Sequence, residues 1–381
     1  MTRVVVSTVR LLEFLQGGGH FWVYMQYVHA LRRLGCEVLL LDSFTWSTEA
    51  PEEDRLVQFR ERLERYGVAD VAVVAAEDER VPAGGSRRCF GMPEVAVEEL
   101  LESADLLLNF NYQLDPALAS LARRSALVDI DPGLLQVWIS DGLIAPARHD
   151  VYFTTGETVG TRASLVPDCG IPWVRIRPPV SLDLWPFAYE PGAEAFTAVS
   201  TWWGQHDYVG DARHYYDNTK RAAFFRFLDL PRLTEQPLEL ALFLSDADGD
   251  DRSTLERHGW RVRHSEDVAG SPEDYRSYVQ CSRGEFGWAK ASCARLQNAW
   301  VSDRSVCYLA SGKPVVVQHT GPSGFLPDDE GMLRVRTPAD AARALDAVNA
   351  DYERHCRAAR RLAEQHFDAN AVVGEMLEVA L

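Results

Sequence analysis

Short apolar runs alternate with helical patterns along almost the whole chain. The first run, RVVVS at 3–7, is continuous rather than alternating, which predicts a strand buried on both faces. A loop, LLEFLQGGG, follows it. Beyond that loop, apolar residues recur at Phe21, Tyr24, Met25, Val28 and Leu31, and this i, i+3, i+4, i+7 spacing predicts an amphipathic helix that stops at Gly35. The next buried strand, CEVLLLD, completes a βαβ unit and so implies a parallel sheet covered by helices. Residues 52–66 read as a charged surface helix and MPEVAVEELLES as another. DVAVVAA, ADLLLNFN, SALVDID, VYFTTG and WVRIRPP read as further strands.

Near residue 179 the periodicity fails. PPVSLDLWPFAYEPGAEA is proline-rich and reads as a linker between domains. A second series then begins with FTAVSTWW and continues through LELALFLS, WRVRH, GEFGWA, PVVVQH and MLRVR, with helical stretches between. Helices at 338–366, broken near Asn349, and at 369–380 close the chain. The fold class expected is therefore α/β: two doubly wound, Rossmann-like domains facing a central cleft. The boundaries expected are 1–178, a linker at 179–194, a second domain at 195–366, and a C-terminal helix at 367–381 that returns to the first domain. In such sheets ligands bind beyond the carboxyl ends of the strands, so the cleft is the expected site.

Composition narrows the function. The 381 residues suit two domains, and the net charge of −17 disfavours a nucleic-acid partner, whose binders carry a basic footprint. No apolar run reaches the roughly 20 residues that span a bilayer, and the N-terminus lacks a signal-peptide pattern. Seven scattered cysteines show no C-x-x-C and no zinc spacing, which points to reduced thiols and a cytoplasmic location. Only three of the 39 basic residues are lysine: Lys220, Lys290 and Lys313. In a chain that so prefers arginine, a lysine marks a place where a compact, flexible ammonium is useful, or else a surface accident.

Several residues could carry chemistry. The stretch SDRSVCYLASGKPVVVQ reads as a helix from about Asp303 that stops at Gly312 and runs into a buried strand. Ser302 or Asp303 would cap it. Its N-terminal N–H groups and dipole would receive an anion such as a diphosphate, with Arg304 beside them. His20 follows Gly17, Gly18 and Gly19 at a helix start. There Gly18 and Gly19 allow close backbone approach to a ligand, and the imidazole could serve as general base, or merely cap or stack. Asp131, in VDIDPG at a strand end, is the second candidate base, although Asp-Pro-Gly is also strong turn chemistry. Asp129-x-Asp131 and Asp246-x-Asp248 are too sparse to imply a metal site, so none is expected. The aromatic run TWWGQHDYVGDARHYYDN, with Trp202 and His206, reads as a long loop that could stack on a base or sugar, or form a local apolar cluster.

Three motifs in order resemble the two-domain GT-B nucleotide-sugar glycosyltransferases. YLASGKPVVV is similar to their EAMASGKPVVA element, IRPPVSLDLWP to their IPPGVDLERFRP linker, and GGGHFWVYMQYVHALRRLGCEVLLLD to their N-terminal glycine-rich unit. The resemblance covers most of the chain. It implies transfer of a sugar from a UDP-, dTDP- or GDP-linked donor to a hydroxyl of a small or lipid-like acceptor, as in natural-product or cell-envelope biosynthesis. It implies no cofactor beyond that co-substrate, no essential metal, and inversion through a histidine base. Lys220 and Lys290 would hold donor phosphates, and Glu285 would serve the donor sugar. One departure is plain: Ala299 and Cys307 stand where many retaining members carry glutamates. That keeps open a nucleotide-sugar epimerase of the same fold and a non-catalytic nucleotide- or sugar-binding module. A nicotinamide oxidoreductase is disfavoured, because GGGHFW is not G-x-G-x-x-G.

Overall fold

A computed structural model describes residues 1–46, 53–68, 71–77, 87–203, 208–211 and 214–381. Eight strands form the first sheet: β1 (Arg3–Val9), β2 (Glu37–Trp46), β3 (Val71–Glu77), β4 (Arg87–Phe90), β5 (Leu106–Asn109), β6 (Ser125–Asp129), β7 (Val151–Thr154) and β8 (Trp173–Arg175). Their order is β4-β3-β2-β1-β5-β6-β7-β8, and every pair is parallel except β3 with β4. The second half contributes β9 (Phe196–Thr201), β10 (Tyr208–Asp211), β11 (His214–Asp217), β12 (Leu238–Phe243), β13 (Arg261–His264), β14 (Gly284–Gly287), β15 (Val315–Gln318) and β16 (Met332–Val335). Six of these make an all-parallel sheet in the order β13-β12-β9-β14-β15-β16, while β10 and β11 form a separate antiparallel pair.

The chain is thus an α/β protein with two doubly wound sheets. Each sheet reverses its strand order beside its first strand, since β1 lies between β2 and β5, and β9 between β12 and β14. At such a switch point the connecting helices leave toward opposite faces and open a crevice beyond the strand ends. Two elements lack the expected apolar signal. β4, RRCF, is a short antiparallel edge strand, and the aromatic run after Trp203 is partly a β10–β11 hairpin rather than a structureless loop. β4, β10 and β11 are four-residue strands paired antiparallel, and none carries a continuous apolar run.

The helix Gly18–Arg33 ties the halves together. Ten of its sixteen residues are buried, more than one amphipathic stripe requires, because it is wedged between β1 and parts of the second half. Its Trp22 indole donates to the Pro272 carbonyl at 2.8 Å and meets the Trp185 ring at 5.1 Å. Gln26 accepts from the Ser181 amide at 2.8 Å. The terminal helix Ala369–Ala380 packs on it from the other side, and Arg124 donates to the Ala380 carbonyl at 3.2 Å. One apolar cluster therefore runs from Val4 through Trp22 and Trp185 to Tyr308 and Met376, whereas a second, around Phe224, Trp260 and Phe286, stays under the second sheet.

Candidate active site

The first wall of the cleft starts where β1 ends. Buried Asp42 accepts from the Thr8 hydroxyl at 2.8 Å and from the Leu11 and Leu12 amides at 3.0 and 2.9 Å, which folds the chain back after the strand. Burial pushes its carboxyl up to about 6, against the pull of those three donors. The fold-back delivers His20 to the carbonyl of Val9, 2.8 Å from Nε2. A carbonyl only accepts, so Nε2 carries the proton and the Nδ1 lone pair is the basic one. Burial, then the nearby Arg10 charge, holds His20 below its ordinary 6.5 despite that hydrogen bond. Phe14 and Tyr24 pack their rings edge-on against it at 5.7 and 5.3 Å. A neutral imidazole with one bare nitrogen is thereby set at the switch point of the first sheet.

Gly18 and Gly19 do something other than approach a ligand. A Cβ on Gly18 would lie 2.2 Å from the Ser271 carbonyl oxygen, and one on Gly19 would lie 2.8 Å from the Tyr275 ring. These glycines let the helix start abut the second half of the chain.

Asp129 and Asp131 separate in role. Asp129, fully buried, accepts from Gln136 Nε2 at 2.6 Å, Thr154 Oγ1 at 2.7 Å and the Asp131 amide at 3.0 Å. It holds the β6 corner, with its carboxyl raised by burial to about 6. Asp131 faces the second wall, where its Oδ1 accepts from Lys290 Nζ at 2.8 Å. Burial raises its carboxyl, but the Lys290 charge and hydrogen bond outweigh this and leave it below the ordinary range.

The second wall is cationic. Lys290 precedes the short helix Ala291–Leu296. Lys220 opens the helix Lys220–Phe224, which Thr219 caps by accepting from the Ala222 amide. The Lys220 ammonium has no hydrogen-bond or ion-pair partner among the described residues. Burial, followed by the charges of Lys290 and Arg304, lowers it to about 7. The helix Asp303–Ala310 begins as expected: Ser302 caps it, accepting from the Arg304 amide at 3.2 Å, and Gly312, at φ +70°, ends it. Burial together with the Asp131 charge raises the Asp303 carboxyl to about 7, against the pull of its own backbone amide.

Arg304 and Glu285 act from beneath this surface. Arg304 turns back into the switch point of the second sheet, with Nε 2.5 Å from Glu285 Oε1 and Nη1 donating to the Val199 carbonyl at 2.9 Å. Glu285 is 0% exposed, so it reaches the cleft only through Arg304 and does not touch a donor sugar. Arg304 is likewise a support under the helix start, not a free anion clamp.

Trp202 is a core residue. It is fully buried against Phe224, with its indole donating to Asp251 at 2.8 Å, which removes it as a stacking platform. Its exposed neighbour Trp203 donates to Asp248 Oδ1 at 2.8 Å. His206 lies outside the described residues. Lys313, in the turn between helix and strand, is fully buried, and its ammonium has no hydrogen-bond partner among the described residues. Among the described residues no group of three or more His, Cys, Asp or Glu is placed to hold a metal ion, and no helix is long and apolar enough to cross a membrane.

Three features escaped sequence reasoning. Tyr24 and Tyr27 look like core positions by spacing, yet Tyr27 carries a buried hydroxyl without a partner among the described residues, and both feel the charge of Asp303. The loop 297–299 docks on the first wall: Asn298 Nδ2 donates to the Pro132 carbonyl at 2.6 Å and the Thr158 hydroxyl to the Gln297 carbonyl at 3.2 Å. In that loop Gln297 and Ala299 are left-handed, at φ 51° and 56°, a conformation costing a non-glycine residue about 1–3 kcal/mol. Two polar residues on an apolar helical stripe were the only sequence signal for any of this.

No protein-family model matches the sequence, and no curated protein does. Solved structures do. AviGT4, a glycosyltransferase involved in avilamycin A biosynthesis, superimposes with a TM-score of 0.58 at 15% identity, over 100% of this chain and 97% of its own. Anabaena HepE in complex with UDP and glucose gives 0.58 at 12% identity, over 100% and 99%. An alpha-glucosyltransferase in complex with UDP and a 13-mer DNA gives 0.61 at 12% identity, over 100% and 99%. At these identities the likeness establishes the fold: the chain has the two-domain GT-B architecture that its motifs resemble.

Proposed function

We propose that the protein is a glycosyltransferase that moves a sugar from a nucleotide-sugar donor to a hydroxyl of a small-molecule or lipid-like acceptor. The observation that carries this is the Lys220 ammonium, unpartnered beside Lys290 and the capped start of Asp303–Ala310, opposite a neutral His20. Two ammonium groups and a helix N-terminus concentrate positive charge in a chain of net charge −17. They would neutralise a leaving diphosphate without a metal. His20 Nδ1 would take the acceptor proton, as an inverting displacement requires. Asp131 is the weaker candidate base, because Lys290 holds it ionised and occupied. The acidic surface argues against a DNA acceptor. All seven cysteines are free, which supports a cytoplasmic setting.

The cavity at the start of the Asp303–Ala310 helix is about 20 Å³, room for one water. Its lining runs from Trp288 to Met332 and includes neither Lys290 nor Asp131, so a diphosphate would be received on the cationic face of the second wall rather than inside this cavity. Titration calorimetry with UDP, dTDP, GDP and uridine tests the reading. A diphosphate should bind, uridine should not, and Lys220→Met should weaken binding at least tenfold; equal binding of uridine and UDP would refute it. Incubating the donor sugar alone then separates transfer, which needs an acceptor, from epimerisation, which does not.

A further inference from the structure

We propose that the cavity where the linker crosses the terminal helix is a second binding site, for a phosphorylated sugar. It encloses about 390 Å³, within the range of small-molecule sites. Its walls come from the ends of β7 and β8, from the loop at Ala299 and Val301, from Phe325, and from the segment Glu364–Glu375. Between β1 and β8 lie four strand spacings of about 4.8 Å, so His20 and this cavity stand roughly 19 Å apart along the sheet edge.

Two guanidinium groups define its chemistry. The Ile176 amide donates to the Thr154 carbonyl at 2.9 Å and so extends the β8 ladder past Arg175. Residues two apart in extended chain share a face, so Arg175 and Arg177 both point away from the core that Ile176 packs against. Both are exposed and line the cavity, and neither has a hydrogen bond or ion pair among the described residues. That is unusual in a chain with 56 acidic and 39 basic residues, where carboxylates to pair with are in surplus. Arg177 is held in place by the Phe325 ring, 4.4 Å below its guanidinium, and His366 stacks on the same ring at 5.1 Å. Paired, planar donors of this kind suit a phosphate.

The opposite wall asks for hydroxyl groups. Glu157 Oε1 accepts from the Gly324 amide at 2.7 Å, but its Oε2 is buried and has no hydrogen-bond partner among the described residues. Glu375 lines the same side. An inorganic anion would satisfy the arginines and leave Glu157 Oε2 unpaired. A sugar monophosphate offers its phosphate to Arg175 and Arg177 and a hydroxyl to Glu157. Because the ligand would touch both halves, the linker and the terminal helix, its binding would act on the opening of the cleft. Val301 forms part of this cavity and of the one at the start of Asp303–Ala310, which gives a direct route between them.

The site stands independently of the donor reading, and the test keeps the two apart. Glucose 6-phosphate, glucose 1-phosphate, glucose and inorganic phosphate are titrated into the full chain, with and without saturating UDP. At least one sugar phosphate should bind whether or not UDP is present. Glucose should not bind, and inorganic phosphate should bind at least tenfold more weakly. Arg175→Gln and Arg177→Gln, both at exposed positions, should each weaken sugar-phosphate binding about tenfold and leave UDP affinity unchanged. Glu157→Gln should weaken the sugar phosphate more than phosphate itself. Displacement of the sugar phosphate by UDP, indifference to both arginine variants, or no binding at millimolar concentration would each overturn the proposal, whatever UDP does on its own.

Discussion

On the first wall of the cleft the buried carboxylates find their donors at home: Asp42 on Thr8, Leu11 and Leu12, and Asp129 on Gln136 and Thr154. On the second wall the cations are left over. Lys220 has no hydrogen-bond or ion-pair partner among the described residues, Lys290 reaches across to Asp131, and Arg304 is engaged beneath the surface with Glu285. The first wall therefore spends its charge on shape and keeps one proton acceptor, His20 Nδ1, in reserve. The second wall keeps positive charge available at a helix start. An acidic protein that leaves the Lys220 ammonium uncompensated beside a helix start is equipped for an anion there.

His20→Ala should break this division most severely, lowering kcat by about 10²–10⁴-fold in a transfer assay while UDP affinity holds. If His20 serves only to close the turn at Val9, turnover survives and stability alone falls. Arg304→Ala should come next. It strands Glu285 without its partner, and loss of one member of a buried pair costs about 3–5 kcal/mol, measurable by urea unfolding. The equivalent cut at the walls' contact, Asp131→Asn, should cost at most about 1 kcal/mol, since that pair is partly exposed. Similar losses from both variants would erase the distinction between support and contact.

Nucleotide affinity should depend on pH through the second wall. Lys220 is lowered to about 7 and Asp303 raised to about 7. Below that pH the lysine is charged and the carboxyl neutral, and both favour a diphosphate. As pH rises through 7 the lysine loses its charge and Asp303 gains one. Affinity should therefore fall above pH 7, by up to about tenfold per unit for each of the two linked protons, and Lys220→Met should remove the share that belongs to the lysine. Affinity constant from pH 6 to 8.5 would remove Lys220 from the site.

Lys313 sharpens the comparison from outside the cleft, as a second unpartnered lysine with no ligand to meet. Burial lowers its pKa from the ordinary 10.5. A lysine depressed in the folded state penalises folding increasingly as pH drops below that ordinary value. Lys313→Met should raise Tm at pH 7, by about 2–4 °C for each kcal/mol gained, with the gain shrinking toward pH 10. A destabilised Lys313→Met protein would mean that the ammonium has a partner in solution.

Most of the order of strands and helices, the two-sheet organisation and a cap at Ser302 or Asp303 were legible in the sequence, because strands buried on both faces must be continuously apolar and a helix start must satisfy its own N–H groups. Val4–Val6, Leu106–Leu108 and Val315–Val317 announced their strands for that reason, whereas RRCF and the β10–β11 hairpin, short and without an apolar run, announced nothing. The lysines of the candidate site were singled out by scarcity, which flagged Lys220 and Lys290 but also Lys313, whose burial no local pattern could signal. What each polar group does was decided in three dimensions. Glycines beside His20 looked like room for a ligand, and only the fold places Ser271 and Tyr275 against them. Glu285 and Arg304 are 19 positions apart, and Asp131 and Lys290 are 159 apart. A side chain's chemistry depends on its partner and its burial, and those are settled by how two sheets and a crossing helix pack, not by neighbours along the chain.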